Sequence, residues 1–257
     1  MKIILWNLRK GLLELFPTNR FRVVLVFLVL IASFISVSEL LVAKLFTQII
    51  LHEGEISNSK LALFVVGFFI FYGLTRLGQF WHKTYRIRLI DEAFSASETK
   101  VRRSRENWRW SHAFELTAIS SSLTQIFVVN AFFFYINWIF GLINLLIILV
   151  VLQIVGGIFK RQLKSQRRFA AAKRKKRKVA HVERLSTRIR SAEIGVLIIG
   201  AAIIILLGIL FYFNYIDDIT TGNTVVLFFG LRMQNSNLSR ISNGLMKFAR
   251  ARTHSEK

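Results

Sequence analysis

The chain of 257 residues contains no cysteine and a single proline, Pro17. Without cysteine it can form no disulfide, has no thiol nucleophile and has no cysteine ligand for a metal. Because proline breaks helix interiors, a chain with only Pro17 can form long helices without proline kinks. The sequence also lacks the HExxH pattern of zinc hydrolases and the GxxxxGK[ST] phosphate loop, and its five histidines are scattered. We therefore expect no catalytic site and no metal site in this chain, and a membrane-embedded enzyme has little support.

Acidic residues are few, with 14 Asp and Glu against 36 Lys and Arg, which gives a formal charge of +22. A soluble protein this basic is usually polar and binds nucleic acid. Here, however, 53% of the residues are hydrophobic, and several apolar runs reach the ~20 residues that a helix needs to cross a bilayer core of ~30 Å. The composition predicts an all-α, polytopic membrane protein.

Six apolar segments are predicted to be transmembrane helices within a domain covering residues 23–257. They lie at about 23–49, 61–82, 118–137, 139–158, 192–213 and 223–246. The sixth is the least hydrophobic, and a simple hydropathy window could miss its second half. Residues 1–22 precede them and are predicted to form an amphipathic helix on the membrane surface, with a frayed tail as the alternative. Its apolar residues at helical spacing are Ile4, Leu5, Leu8, Leu12, Leu15 and Phe16.

Positive charge is confined to alternate connections between these segments. Segments 1–22, 83–117, 159–190 and 232–257 contain every Lys and Arg except Lys44, Lys60 and Arg76. The intervening connections, 50–61, 134–141 and 213–222, contain Lys60 alone. Because basic residues accumulate on the cytoplasmic side of membranes, the pattern predicts that both termini are cytoplasmic. We expect a multi-pass protein of the bacterial cytoplasmic (inner) membrane.

The two long basic connections, 84–117 and 159–190, are nearly equal in length. As helical hairpins each would project roughly 20–25 Å, which suggests a docking surface for a partner; the alternative is a pair of partly disordered tethers. Trp108 and Trp110 belong either to a contact helix for that partner or to the membrane interface as aromatic anchors. The basic run 173–178 is expected to contact anionic lipid headgroups rather than nucleic acid.

Polar residues of the sixth segment recur at helical spacing and so share one face. Arg232 is predicted to lie about 15 Å deep, where a charge facing lipid costs at least ~2.5–3.5 kcal/mol. It should therefore face other helices or a water-filled cavity, either lining a substrate pathway or forming a structural ion pair with Glu39. The candidate pathway residues are Arg232, Asn235, Ser236, Arg240 and Asn243, with Asn237 and Lys247 beside them.

Glu39 is a second charge inside an apolar segment. Lys44 is five residues further on, which is poor spacing for a pair within one helix. A partner on another segment is expected, with Arg76 and Arg232 as the candidates.

The C-terminal stretches TGNTVVLFFGLR (221–232) and LSRISNGLMKFARAR (238–252) resemble the last transmembrane helix of ABC exporters. Six spans, an N-terminal elbow helix and long loops after spans 2 and 4 agree with that family. The resemblance implies a homo- or heterodimer of six-helix units, with exchange of spans 4 and 5 between protomers. It also implies a separate ATPase subunit, which would bind ATP and contact regions near 104–112 and 172–182. Docking residues in those regions are Trp108, Trp110, Arg174 and Arg177.

Two functions are therefore expected. The first is the transmembrane subunit of an ABC-type exporter, working by alternating access with a separate ATPase and possibly on an anionic or amphipathic substrate. The second is a non-transporting scaffold, assembly factor or immunity protein on the same framework. The second is motivated by long loops that are shorter than is usual for the family and by the lack of a nucleotide-binding motif.

Overall fold

A computed structural model describes residues 2–16, 18–51, 57–96, 103–175 and 180–255. These ranges form seven α-helices and no strand. The helices are α1 Lys2–Leu15, α2 Asn19–Ile50, α3 Asn58–Ser95, α4 Arg103–Ile136, α5 Trp138–Arg174, α6 His181–Tyr215 and α7 Thr221–Ser255. The prediction of an all-helical protein is confirmed.

Five of these helices, α2 to α6, are long and apolar enough to cross a membrane, as judged over the described ranges. Many of their large apolar side chains face outward, such as Phe34 on α2, Phe69 on α3 and Leu197 on α6. Contiguous exposed apolar surface of this extent fits contact with lipid rather than water. The five helices are consistent with a multi-pass membrane protein.

The sixth predicted span corresponds to α7, which does not pass the same test of hydropathy. The reason is visible in its packing, because α7 contacts α2, α4, α5 and α6 and has its most extensive contact with α4. Its buried side chains include the polar Gln234, Asn237 and Ser242. Where other helices cover α7, its side chains need not be apolar, since they contact protein rather than lipid. The most polar of the long helices therefore has four neighbours, although one side of it is exposed in the single chain.

Two short connections, α4–α5 and α6–α7, meet at one end of the bundle, and the end of α2 lies beside them. Asn137, between α4 and α5, donates a hydrogen bond of 2.7 Å from Nδ2 to Oδ2 of Asp218, between α6 and α7. Near the end of α2, Lys44 Nζ lies 5.3 Å from the centre of the Tyr135 ring on α4. We call this end the short-connection end. The opposite end, with α1 and the basic helix extensions, is called the basic end.

Most described residues of the two long basic connections are helical and continue the apolar helices. At the basic end α3 continues to Ser95 and α4 begins at Arg103, while α5 continues to Arg174 and α6 begins at His181. Each helix thus runs well beyond the ~20 residues that a bilayer requires. In the single chain, α5 and α6 pack against each other and against α7.

Small residues bring the long helices close together. A Cβ added at Gly195 on α6 would collide with the side chain of Ser242 on α7, and Ser242 Oγ donates a 3.3 Å hydrogen bond to the Ala192 carbonyl. A Cβ at Gly230 on α7 would lie 2.7 Å from Cζ of Phe133 on α4. Such contacts allow the close backbone approach that drives helix packing in membranes.

The N-terminal segment is helical as predicted, but its apolar face has a different environment from the one expected. Ile4, Leu8 and Leu15 are buried, because α1 packs against α4 and α5. The predicted membrane-facing stripe is therefore largely a protein-packing stripe. Asn7 Oδ1 accepts a hydrogen bond from the fully buried Arg252 guanidinium, which ties α1 to the end of α7.

Candidate functional site: a polar cavity among four helices

A cavity of about 470 Å³ lies among α2, α3, α4 and α7. Its walls combine a few apolar side chains with charged and amide-bearing ones from all four helices. The polar lining residues are Ser36, Glu39, Gln79, His82, Lys83, Arg86, Ser121, Gln125, Ser236, Asn237 and Arg240. Polar groups at such density inside an apolar helix bundle are costly to maintain and usually mark a functional site.

The cavity occupies the half of the bundle nearer the basic end. Glu39 is 11 residues from Ile50 at the short-connection end of α2, or roughly 17 Å along the helix. Arg240 is 19 residues from Thr221 at the start of α7, or roughly 28 Å. With a bilayer core of ~30 Å, the lining therefore extends from about the midplane to the boundary at the basic end.

Cations outnumber carboxylates in this lining. Lys83, Arg86 and Arg240 each place a positive charge there, and Glu39 is the one carboxylate among the lining residues. An excess of one charge within low-dielectric walls attracts ligands of the opposite sign. The cavity is therefore suited to an anion.

Glu39 is held by α3 rather than by α7. Its Oε1 accepts a 2.6 Å hydrogen bond from Gln79 Nε2. Arg76 donates to Gln79 Oε1 over 3.3 Å and to the Tyr72 hydroxyl over 3.3 Å. Arg76 and Arg240 are the cations that act on the Glu39 carboxylate, and Arg232 is not among them. Of the two predicted partners, Arg76 therefore reaches Glu39 through the Gln79 amide, whereas the alternative pair with Arg232 does not form.

The predicted polar face of α7 is divided by the structure. Ser236 and Arg240 line the cavity together with Asn237, whereas Arg232, Asn235 and Asn243 are not among its lining residues. Arg232, Ser236, Arg240 and Lys247 are all exposed along one side of the helix in the single chain. The shared face follows from their spacing, but which part of it meets the cavity depends on where α2 and α3 lie.

Toward the basic end of the bundle, the cavity is bordered by a cluster of side chains from α3, α4 and α7. Lys247 Nζ lies 3.7 Å from Glu115 Oε1, and the Arg86 guanidinium lies 5.0 Å from the centre of the Phe114 ring. Burial raises the pKa of Glu115 above its ordinary value, and Lys247 and Arg86 oppose that rise. The cluster joins three helices across the mouth of the cavity.

Two of the predicted docking residues, Trp108 and Trp110, lie at the basic end. Trp110 packs edge-on against Phe94 of α3 with ring centres 5.4 Å apart, and Arg250 of α7 lies 5.1 Å from the Trp108 ring centre. Both tryptophans are partly buried and so use part of their surface within the chain. Arg177 lies outside the described residues, as does the side chain of Arg174 at the end of α5. Docking at these positions stays a prediction.

The α3 wall of the cavity is the part that sequence reasoning missed. Gln79, His82, Lys83 and Arg86 follow one another at helical spacing and form a polar stripe. The stripe begins inside the predicted span 61–82 and continues into the basic connection, so it was divided between two segments. Reading α3 as one continuous helix would have detected it.

Comparison with known protein families finds no family that matches this chain, and comparison with curated proteins finds no match either.

Proposed function

We propose that this chain is the transmembrane subunit of an ABC-type exporter that works with a separate ATPase subunit by alternating access. The observation that carries the proposal is the polar cavity, which four helices enclose at a depth where lipid would otherwise surround them. A scaffold gains nothing from charged side chains at that depth in the membrane, since each costs several kcal/mol unless a group of opposite charge pairs with it. A transporter needs such a cavity to hold a polar group during crossing.

The proposal includes α7 as a sixth span. Its 35 residues exceed the length needed for a bilayer, and its ends lie at the two ends of the bundle. Thr47 near the end of α2 lies close to Gly222, and Arg252 bonds to Asn7 of α1. Packing against four neighbours explains how so polar a helix can cross the membrane.

The charge distribution supports an orientation with the basic end in the cytoplasm of a bacterial cell. The short-connection end carries Asp217 and Asp218, while the basic extensions of α3 to α6 lie opposite. In this orientation both termini are cytoplasmic and the cavity occupies the cytoplasmic half of the membrane. It corresponds to the inward-facing side of an alternating-access cycle.

The cytoplasmic helix extensions are the proposed attachment surface for the ATPase subunit. They are continuous with helices that line the cavity, so movement of α3 or α4 at the basic end would change the cavity itself. ATP would bind to that partner and not to this chain. The complex would be a homo- or heterodimer of such transmembrane subunits, with anionic lipid against the basic segments.

Affinity purification tests the proposal. The tagged chain is extracted from native membranes in mild detergent, and the copurifying proteins are identified and quantified. We expect an ATPase subunit in stoichiometric amount, with ATP hydrolysis in the purified complex. A purified chain with other partners and no ATPase would refute the exporter and favour the non-transporting scaffold.

A substitution in the cavity lining tests whether the cavity takes part in the proposed transport. Ser236→Trp would place a large ring in the cavity, so ATP hydrolysis by the complex should lose its dependence on transported substrate in membranes. Phe229→Trp, at an exposed position two turns earlier on α7, is the matched control and should leave hydrolysis unchanged. Equal behaviour of the two variants would argue against a role for the cavity.

A further inference from the structure

Two buried nitrogen atoms of cavity-lining residues lack hydrogen-bond partners among the described residues. They are Nε of Arg86 and Nε2 of His82, and both residues line the cavity. Leaving a buried donor unsatisfied costs about 1–3 kcal/mol, and more for a charged group. Both side chains line the cavity, but the two atoms themselves are shielded from it, so an acceptor in the cavity would reach them only after the side chains rotate.

Arg240 adds a third donor group from the opposite helix. Arg86 of α3 and Arg240 line the same cavity, so their like charges repel one another across it. The direct contacts of the nearby carboxylates are with other residues: Glu39 accepts from Gln79 and Glu115 pairs with Lys247. An oxyanion between α3 and α7 would relieve the repulsion and accept charge-assisted hydrogen bonds.

An apolar groove lies beside this donor cluster and shares His82 with it. The groove has a volume of about 530 Å³ and runs between α2 and α3. Leu28, Ile31 and Phe80 form part of its apolar lining, and Trp81 is 72% exposed at its edge. Thr84, Tyr85 and Arg88 continue the lining toward the basic end. Aromatic and arginine side chains at such a boundary are typical of the headgroup level of a bilayer.

We propose that the cavity and the groove together bind an anionic amphiphile of the phospholipid type. The oxyanion of its headgroup is held by His82, Arg86 and Arg240, and a hydrocarbon chain lies in the groove between α2 and α3. The proposal rests on the proposed function only in treating the cavity as the substrate site. A free, water-soluble oxyanion shares the headgroup chemistry but would leave the groove unused, and for that reason we assign the lipid.

Native mass spectrometry of the purified chain in detergent tests this assignment. The probes are phosphatidylglycerol, phosphatidylcholine with the same acyl chains, and inorganic phosphate. We expect phosphatidylglycerol to bind more tightly than phosphatidylcholine, and Arg86→Gln or Arg240→Gln to weaken its binding roughly tenfold or more, because each removes charge-assisted hydrogen bonds. Arg240→Lys keeps the charge and should lose less.

Two matched variants complete the design. Arg232→Gln removes the same charge from α7 at a position outside the cavity lining, and it should leave binding within about twofold of the unsubstituted protein. Ile31→Trp fills the groove without altering a charge, and it should weaken phosphatidylglycerol binding. Elution of each variant as a monodisperse species in size-exclusion chromatography shows that it is folded.

The assignment is wrong if Arg86→Gln, Arg240→Gln and Arg232→Gln all reduce phosphatidylglycerol binding equally, or if none does. It is also wrong if inorganic phosphate binds with the expected dependence on Arg86 and Arg240 while phosphatidylglycerol does not, since the ligand is then a soluble oxyanion. None of these measurements requires the ATPase partner. Failure of the lipid assignment is therefore distinguishable from failure of the exporter proposal.

Discussion

Gly230 is a residue at which α7 packs tightly against Phe133 of α4, and substituting it tests how closely the two helices approach each other. A Cβ at this position would lie 2.7 Å from Cζ of Phe133 and closer still to Cε1. Ordinary contact begins at 3.4 Å, so in Gly230→Ala the ring must retreat by more than about 0.7 Å, because Cε1 is closer than Cζ. Phe133 is fully buried and lies 5.6 Å, centre to centre, from the Phe140 ring. The ring therefore has little room to move.

The expected free-energy change has two parts. Overpacking a buried site costs about 1–3 kcal/mol, whereas replacing glycine by alanine within a helix is favourable by about 1 kcal/mol. Gly230→Ala should therefore range from neutral to about 2 kcal/mol less stable than the unsubstituted chain. Gly200→Ala on α6 is the matched control, because a Cβ there meets nothing within 4 Å. It should be as stable as the unsubstituted chain or more so.

Unfolding in mixed micelles of increasing SDS fraction, followed by circular dichroism, measures both variants. The difference between them isolates the steric term, which we expect at about 1–3 kcal/mol. In the double variant Gly230→Ala with Phe133→Leu, loss of the ring edge should recover part of that difference. If Gly230→Ala is as stable as Gly200→Ala, α7 does not approach α4 as closely as described.

Three further predictions concern the basic end and the orientation of the chain. Burial raises the pKa of Glu115, so the folded chain binds the proton of this carboxyl group more tightly than the unfolded chain does. The stability that results is present below about pH 4.5. It is lost as the pH rises through the pKa of Glu115 in the folded chain. The melting temperature of Glu115→Gln should therefore rise relative to that of the unsubstituted chain as the pH increases above about 4.5. Asn7→Ala removes an acceptor from the buried Arg252 guanidinium and should cost about 1–3 kcal/mol in the same SDS titration. Because the chain has no cysteine, Ser57→Cys should react with a membrane-impermeant maleimide in intact cells, and Ser186→Cys should react only after lysis.

Each of these has a matched comparison. Lys247→Met removes a charge that opposes the rise in the Glu115 pKa, so the pH-dependent loss of stability should extend to higher pH. Asn223→Ala, near the start of α7, should change stability by less than about 0.5 kcal/mol. If Ser186→Cys reacts in intact cells and Ser57→Cys does not, the orientation is reversed.

Helix type and membrane character could be predicted from sequence because both depend on residues that are near neighbours in the chain. Apolar runs of about 20 residues without an internal proline favour membrane-spanning helices, and Lys and Arg segregate because charge crosses lipid at high cost. The extensions up to Ser95 and Arg174 follow from the same local preference. For these features no knowledge of tertiary contacts was needed.

The cavity was only partly predictable. The spacing of Ser236 and Arg240 placed them on one face of a helix, but spacing alone could not separate them from Arg232. Glu39 was recognisable as a charge within an apolar run, whereas its contact with Gln79 depends on how α2 lies against α3. The hydropathy of α7 is also a poor guide to whether α7 belongs to the bundle. Hydropathy measures how well a helix suits contact with lipid, and not how well it suits contact with other helices.

The amino-acid sequence by itself therefore determined the helices, their order and the segregation of charge, since local propensity and transfer energy act on each segment separately. Tertiary structure decided which faces meet. Close contacts at Gly195 and Gly230 bring α7 against α6 and α4, and that position leaves part of its polar face toward α2 and α3. The donors Arg86 and Arg240 are far apart in the chain and line one cavity only because four helices pack in this arrangement.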